Sequence, residues 1–323
     1  MIKAIINFCL VMNLFMGSAT VLAFDFKYPL STVEMKLIKV SEHVYFVQGA
    51  TGVATDNQGF ISNATVIIGS DDITVVDALG SPSLAEQLIS KIRVISQLPI
   101  TRVITTHYHA DHIYGLQVFE EQGASILSPY GVDDYLGSQA AIDRLEERSF
   151  SLEPWVNEQT RLVAPDDQIS RSRVLNIGGV KLTLNYLGKA HSDADLTVFV
   201  EPDNVFITGD VIFEGRIPFV GDSDSKAWLE TLNKMAEQKG IDALIPGHGG
   251  LAREPLKAIS LTRDYLLFLR HKLGAGVEEM MSFDEIYSSI NWRRFEKLPA
   301  FDLGNRVNAY QIYLSLEEEL LEN

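Results

Sequence analysis

Seven histidines occur in the chain, and five of them fall in three short segments that each follow an apolar, strand-like run. The densest is Thr106-His107-Tyr108-His109-Ala110-Asp111-His112, directly after residues 102–106. In extended backbone, residues two apart point to the same side, so His107 and His109 can offer imidazoles to one ion. As the chain turns into a helix, Asp111 and His112 can face a second ion beside it. The other donors have matching contexts: His191 after residues 180–187, Asp210 closing 205–208, and His248 after a short strand that begins at Ala243. Small residues flank each of them (Gly188 and Ala190, Gly209, Gly247 and Gly249), which lets backbone approach closely. Imidazole and carboxylate together suit zinc, and also iron or manganese. The chemistry expected of such a donor set is metal-assisted hydrolysis.

The elements that must position these groups alternate in type. Residues 35–48 alternate apolar and polar side chains with a turn near 41–42, and 49–62 is rich in Gly, Thr, Asp and Asn, a surface-loop composition. A hairpin follows at 64–69 and 73–78, then an amphipathic helix over 83–96, a strand over 100–106 and a helix over 111–122. The polar stretch 131–173 reads as an insertion beside the site. Strands resume at 180–187, 196–201 and 205–208, and a helix over 226–238 precedes a strand at 243–246. Hairpins mixed with strand–helix alternation predict mixed sheets in two sheet-plus-helix halves. Asp77 and Asp210, each a carboxylate at a strand end, hint at an internal duplication. The tail from 254 to 323 is expected to be a mostly helical extension packed on a catalytic domain spanning 24–253.

Composition sets the outer limits. The chain has 323 residues, 46% hydrophobic and 22% charged, ordinary values for a globular protein with a well-packed core. Residues 1–23 carry Lys3, an apolar run over 4–15 and small residues with Val21 and Ala23 where a signal peptidase reads. The expectation is a signal peptide, cleavage after Ala23, and a periplasmic or secreted protein with no stable membrane insertion thereafter; the alternative is an uncleaved N-terminal transmembrane anchor. The mature chain is therefore predicted to begin at Phe24, and N-terminal mass spectrometry showing retained Met1 or Lys3 would refute cleavage. The lone cysteine, Cys9, lies inside that leader, so the mature chain has no thiolate for catalysis or metal binding. Loss of Lys3 moves the formal charge from −16 to −17. So acidic a protein argues against nucleic acid or an anionic membrane as a partner, since both need a basic footprint, and the charge serves solubility; the partner expected of the donor set is a small-molecule substrate.

The ordered set of motifs resembles the metallo-β-lactamase superfamily. HYHADH at 107–112 matches its HxHxDH signature, followed by a single histidine (His191), an aspartate after Thr-Gly (Asp210) and a late histidine in PGHG (His248), over about residues 36–250. The resemblance implies an α/β fold, a four-layer αββα sandwich of two mixed sheets flanked by helices, with the site at one edge. It also implies that His107, His109 and His191 hold a first metal, that Asp111, His112 and His248 hold a second, and that Asp210 bridges them. The segments AHSDADLTVFVEPDNVFITGD and GRIPF are similar to exported hydrolases associated with bacterial sulfur-oxidation and quinoprotein systems. True zinc β-lactamases put Cys, Ser or His where Asp210 stands, so this donor set is closer to thioesterases and lactonases of the superfamily.

The expected activity is hydrolysis of an ester, thioester, lactone or amide by a hydroxide that two Zn2+ ions activate. Two ions about 3.5–4 Å apart share a water and lower its pKa toward about 7, and their charge stabilises the oxyanion formed at the carbonyl. Asp111 is the expected catalytic residue, orienting the nucleophile and shuttling its proton to the leaving group. The alternatives are β-lactamase-type activity, iron-dependent persulfide oxidation, which uses one iron and fewer ligands, and a non-catalytic metal-binding module. Aromatic packing is expected of Tyr108 and Tyr114, hydrogen bonding or exposure of Asp193 and Asp195, and partly exposed structural places for His43 and His271. Asp77 is expected to act through folding or through hydrogen bonds behind the ligands. Arg216 is open to two readings, a partner for a substrate carboxylate or a structural residue.

Overall fold

The computed structural model describes residues 26–221 and 223–322; the leader expected at 1–23 lies outside the described residues. Seven strands pair in chain order into one sheet: β1 (Leu37–Lys39), β2 (Val44–Val47), β3 (Ala64–Ile68), β4 (Ile73–Val76), β5 (Ile100–Ile104), β6 (Ser125–Pro129) and β7 (Asp167–Ile169). From β1 to β4 neighbours are antiparallel, and from β4 to β7 they are parallel. Five more strands form a second sheet in the order β12-β11-β10-β9-β8. They are β8 (Arg173–Ile177), β9 (Val180–Gly188), β10 (Asp195–Val200), β11 (Val205–Phe213) and β12 (Ala243–His248), antiparallel except where β11 meets β12.

Successive residues of a strand point to opposite faces, which sorts the core into layers. Val75, Val103 and Ile126 face helix α1 (Pro82–Ile95), whereas Val76, Ile104 and Leu127 meet Leu184, Leu196 and Ile207 of the second sheet. Ser81 caps α1 by accepting from the Leu84 N–H, with Pro82 in the first turn where no helical donor is lost. Leu84, Leu88, Ile89 and Ile92 bury one face of this helix completely, each burial contributing about 1.5–3 kcal/mol. Strands covered on both faces read as continuous apolar runs, as in Val205-Phe206-Ile207 of β11.

The helix expected over 111–122 is two helices, α2 (Ala110–Ile113) and α3 (Leu116–Glu121). The hydrogen bond that would join them is replaced by tertiary ones: the Asp111 carbonyl accepts from Ser62 Oγ, and the Gly115 N–H donates to Leu79 O at 3.2 Å. The stretch 131–173 holds α4 (Val132–Leu136) and α5 (Gln139–Ser151) but is not wholly an insertion, since β7 lies inside it and β8 begins at its end. The sequence predicts no strand at β6, β7 or β8, because β6 ends in Pro129, β7 has three residues of which Asp167 is exposed, and β8 mixes Arg173 and Asn176 with apolar residues. The loop over 49–62 is not a surface loop throughout, because Phe60 and Ser62 are buried.

Phe206 and Leu244 face away from the first sheet, onto α6 (Ser225–Glu237) and α7 (Pro255–Glu278), which completes the four-layer αββα sandwich. The 254–323 segment continues with α8 (Phe283–Ser289) and α9 (Phe301–Glu322). Tyr265 and Leu266 of α7 share one core with Phe213 and Trp228, so α7 packs as part of the outer helical layer. Among the described residues, no helix is long and apolar enough to cross a membrane.

Candidate metal centre

At the edge where the parallel strands of both sheets end, the chain brings together all seven residues singled out by spacing. Their donor atoms form two groups, His107, His109, His191 and Asp210, and Asp111, His112 and His248, each with its atoms within 4.8 Å of one another. His109 Nδ1 lies 3.0 Å from His107 Nε2 and 3.0 Å from His191 Nε2. Asp210 stands between the groups: its Oδ2 is 3.2 Å from His248 Nε2, 3.4 Å from His191 Nε2 and 4.0 Å from His107 Nε2, and its Oδ1 is 3.2 Å from His112 Nε2. Asp111 Oδ2 lies 3.2 Å from His248 Nε2 and 3.7 Å from His112 Nε2.

The strand ends differ from those expected. β11 runs on to Phe213, so Asp210 is not at a strand end but in an irregular stretch of β11 where the pairing with β12 shifts at Gly209. Gly209 has φ +53°, and a Cβ there would meet Thr106 Oγ1 at 2.4 Å. Gly247 lets β12 pass against the ligand itself, since a Cβ there would lie 1.8 Å from Asp210 Oδ1. β12 extends to include His248.

Behind the donors, a set of hydrogen bonds orients each ring. Asp77, in the left-handed region at φ +64°, accepts from the Thr106 N–H at 2.7 Å and Thr106 Oγ1 at 2.9 Å, and pairs with His112 Nδ1 at 2.9 Å. Thr106 Oγ1 is also 3.0 Å from His107 Nδ1, and His248 Nδ1 donates to Ile61 O at 2.7 Å. With the Nδ1 atoms so engaged, Nε2 of His107, His112 and His248 turns toward the centre. Asn63 ties the two halves together at this edge: its Nδ2 donates to Pro246 O and Gly249 O, and its Oδ1 accepts from the Gly49 N–H. Phe213 stacks parallel on His248 with centroids 5.2 Å apart, and the buried Trp228 lies edge-on to His191 at 5.1 Å. Ser62, Asn63, Phe213 and Trp228 carried no local signal, because their roles come from contacts made across the two halves.

Two observations show that the donor set fits metal ions. His112 Nε2 and Asp210 Oδ1, both on the inner side of the site, are buried without a hydrogen-bond partner, which is costly unless something else satisfies them. Burial pushes His191 down to about 3 and His107 well below the usual histidine range, so both are neutral at pH 7 with lone pairs available. Burial alone would raise Asp210, but His248 and His112 hold it well below the usual carboxylate range.

Asp77→Ala would strand three buried donors, each at a cost of about 1–3 kcal/mol. The variant is expected to lose at least about 3 kcal/mol of stability in thermal or urea unfolding, and to bind metal about 10–100-fold more weakly while keeping the same ion count at saturation. Unchanged stability would show that these hydrogen bonds do not hold the fold.

Tyr108 stacks on Tyr135 at 4.2 Å and Tyr114 is buried. Asp195 is buried and accepts from the Ser192 N–H, whereas Asp193 is exposed beside Lys189. His43 pairs with Asp203 at 2.8 Å, and His271 is exposed on α7.

The family profile described as the metallo-beta-lactamase superfamily matches residues 57–248, the span that contains every one of these donors. The chain belongs to that superfamily. Members similar to it include a metallo-beta-lactamase type 2 of Bacteroides fragilis, 23% identical over 69% of this chain and 86% of that protein. An acyl-coenzyme A thioesterase of Gallus gallus is 25% identical over 58% of this chain and 72% of its own length. Among solved structures, a stereoselective inverting sec-alkylsulfatase from Pseudomonas sp. superposes with a TM-score of 0.69 at 17% identity. That superposition covers 87% of this chain but only 50% of the alkylsulfatase, and it speaks to the fold alone.

Proposed function

We propose that this metallo-beta-lactamase superfamily hydrolase works with two divalent ions, zinc by the chemistry of its donors, to cleave an ester, thioester, lactone or amide. The observation that carries the reading is the position of the Asp210 carboxylate, with one oxygen 3.2 Å from His248 Nε2 and 3.4 Å from His191 Nε2, on the boundary of the two donor groups. His107, His109 and His191 would hold one ion, Asp111, His112 and His248 the other, and Asp210 would contact both. When bound, the ions supply Lewis acidity, lowering the pKa of a water and polarising the substrate carbonyl.

The chain's own groups do the rest. Asp111 has a side chain 22% exposed, unlike the almost fully buried His112 and Asp210, so its carboxylate faces incoming water and substrate. It orients the nucleophile, accepts its proton and passes that proton to the leaving group. Asp77 and Ile61 O keep the imidazoles of His112 and His248 in the tautomer that presents Nε2. Phe213 and Trp228 wall off the inner side from bulk water. If residues 1–23 are cleaved as a signal peptide, as their sequence suggests, the periplasm or the medium outside the cell is the proposed place of action.

Purified mature protein, loaded with excess zinc and desalted, is expected to retain two ions per chain by elemental analysis. Such enzyme, assayed in parallel on a p-nitrophenyl ester, acyl thioesters, lactones, β-lactams and alkyl sulfates, is expected to turn over carbonyl substrates. A stoichiometry that stays at one ion overturns the two-metal reading, and turnover confined to β-lactams or sulfates overturns the substrate class.

A further inference from the structure

The segment 214–221, which follows β11, passes over the metal centre. It starts where the Glu214 N–H donates to His248 O at 3.0 Å. Arg216 lies with its guanidinium 5.7 Å from the Phe213 ring, the same ring that stacks on His248. Burial lowers the pKa of Arg216 while the charges of Asp210 and Asp111 oppose that shift, which puts this cation in the field of both carboxylates. Further along, Phe219 is 44% exposed and reaches the other donor group, its ring centroid 6.3 Å from that of His109. The segment therefore presents a cation and an aromatic ring beside the two donor groups.

What holds the segment there is the C-terminal part of the chain. The Ile217 N–H donates to Pro299 O at 3.2 Å. Asn308 on α9, fully buried, grips the backbone on both sides: its Oδ1 accepts from the Val220 N–H at 2.9 Å, and its Nδ2 donates to Pro218 O at 2.7 Å and to Tyr265 Oη at 3.1 Å. Tyr265 Oη donates in turn to Asn305 Oδ1 at 2.9 Å, and Asn305 Nδ2 donates to Tyr287 Oη at 3.0 Å. Asn305 belongs to the same buried network, and none of these bonds reaches the segment. A buried amide with its oxygen and nitrogen both spent on one loop does more than fill the interior, because the loop's backbone geometry is read from two sides.

We propose that Asn308 is a positioning residue for the metal centre, clamping segment 214–221 so that Arg216 and Phe219 form the wall against which a substrate binds. The idea that this wall meets a substrate rests on the hydrolase reading above; the clamp does not. It gives the C-terminal helix a part in substrate binding, although it contributes no donor atom to the site.

The test compares Asn308→Ala with Asn305→Ala in the full mature chain. Both are expected to lower Tm. Only Asn308→Ala is expected to speed hydrogen exchange in the peptide covering 214–221, by about tenfold, the ratio that loss of one net hydrogen bond corresponds to. With p-nitrophenyl butyrate as the probe, only Asn308→Ala is expected to raise KM, by about tenfold, with kcat and metal content close to wild type. Unchanged exchange in 214–221, or an equal rise in the two variants, overturns the clamp and leaves Asn308 a packing residue. Faster exchange with an unchanged KM overturns the wall. Absence of turnover by the wild-type protein on the whole substrate panel would count against the hydrolase reading, while exchange still decides the clamp.

Discussion

Asp210→Ala is expected to lose metal and turnover together, and more severely than any change behind the ligands. Its carboxylate lies 3.2–4.0 Å from Nε2 of His107, His112, His191 and His248, so if it bridges as proposed, removing it would take a donor from both ions at once. It also removes a negative charge from a site that would carry two dications, where no solvent can replace it, since Asp210 is only 3% exposed. Loss of an outer hydrogen-bond partner costs about 10–100-fold in affinity or activity, and loss of this shared carboxylate is expected to exceed that range. Elemental analysis and turnover under identical zinc loading, with Asp77→Ala alongside, make the comparison. An Asp210→Ala protein that kept two ions and near-normal turnover would sink both the bridging assignment and the general-hydrolase reading built on it.

Gly247→Ala is the second large effect expected, and it acts through shape alone. The new methyl would lie 1.8 Å from Asp210 Oδ1, 2.7 Å from Gly209 C and 2.8 Å from Asp210 N. Two of these three atoms are backbone of β11, which is paired to β12, so relief requires the strands to part or the carboxylate to leave its place. Overpacking of this kind costs about 1–3 kcal/mol, occasionally more, and here it should also lower metal occupancy. Gly250→Ala is the matched control, because a Cβ there would meet only Gln48 Oε1, at 3.8 Å. That variant should fall within about 0.5 kcal/mol of wild type in thermal melting, with full metal content. Equal behaviour of the two variants would show that the β11–β12 approach is not what sets the Asp210 carboxylate.

Legibility in the sequence followed distance along the chain. The hairpin at 64–76, helix α1 and the strands either side of the turn at 201–204 were readable because period, cap and turn residues all act within a few positions. The helix expected over 111–122 was not one helix, since the bonds that split it come from Ser62 and Leu79, far away in the chain. β6 to β8 were not legible because short, partly polar strands carry little periodic signal and are specified by their neighbours. In the same way Asn308, nearly 90 positions from the loop it grips, looks like any polar residue on a helix.

For the centre itself the division is sharper. Which side chains could bind metal, and that His107 and His109 share a side, followed from the sequence, because covalent geometry sets the reach between residues two to five apart. The meeting of that segment with His191, Asp210 and His248, 80–140 residues away, was decided only by the tertiary structure. It depends on two sheets packing through Val76, Ile104, Leu196 and Ile207 so that their parallel edges end together. It depends also on the irregularity at Gly209, which turns Asp210 toward both groups of donors. Packing and bulges of that kind are set by the volumes of side chains brought together from distant parts of the chain, and no local pattern encodes their sum.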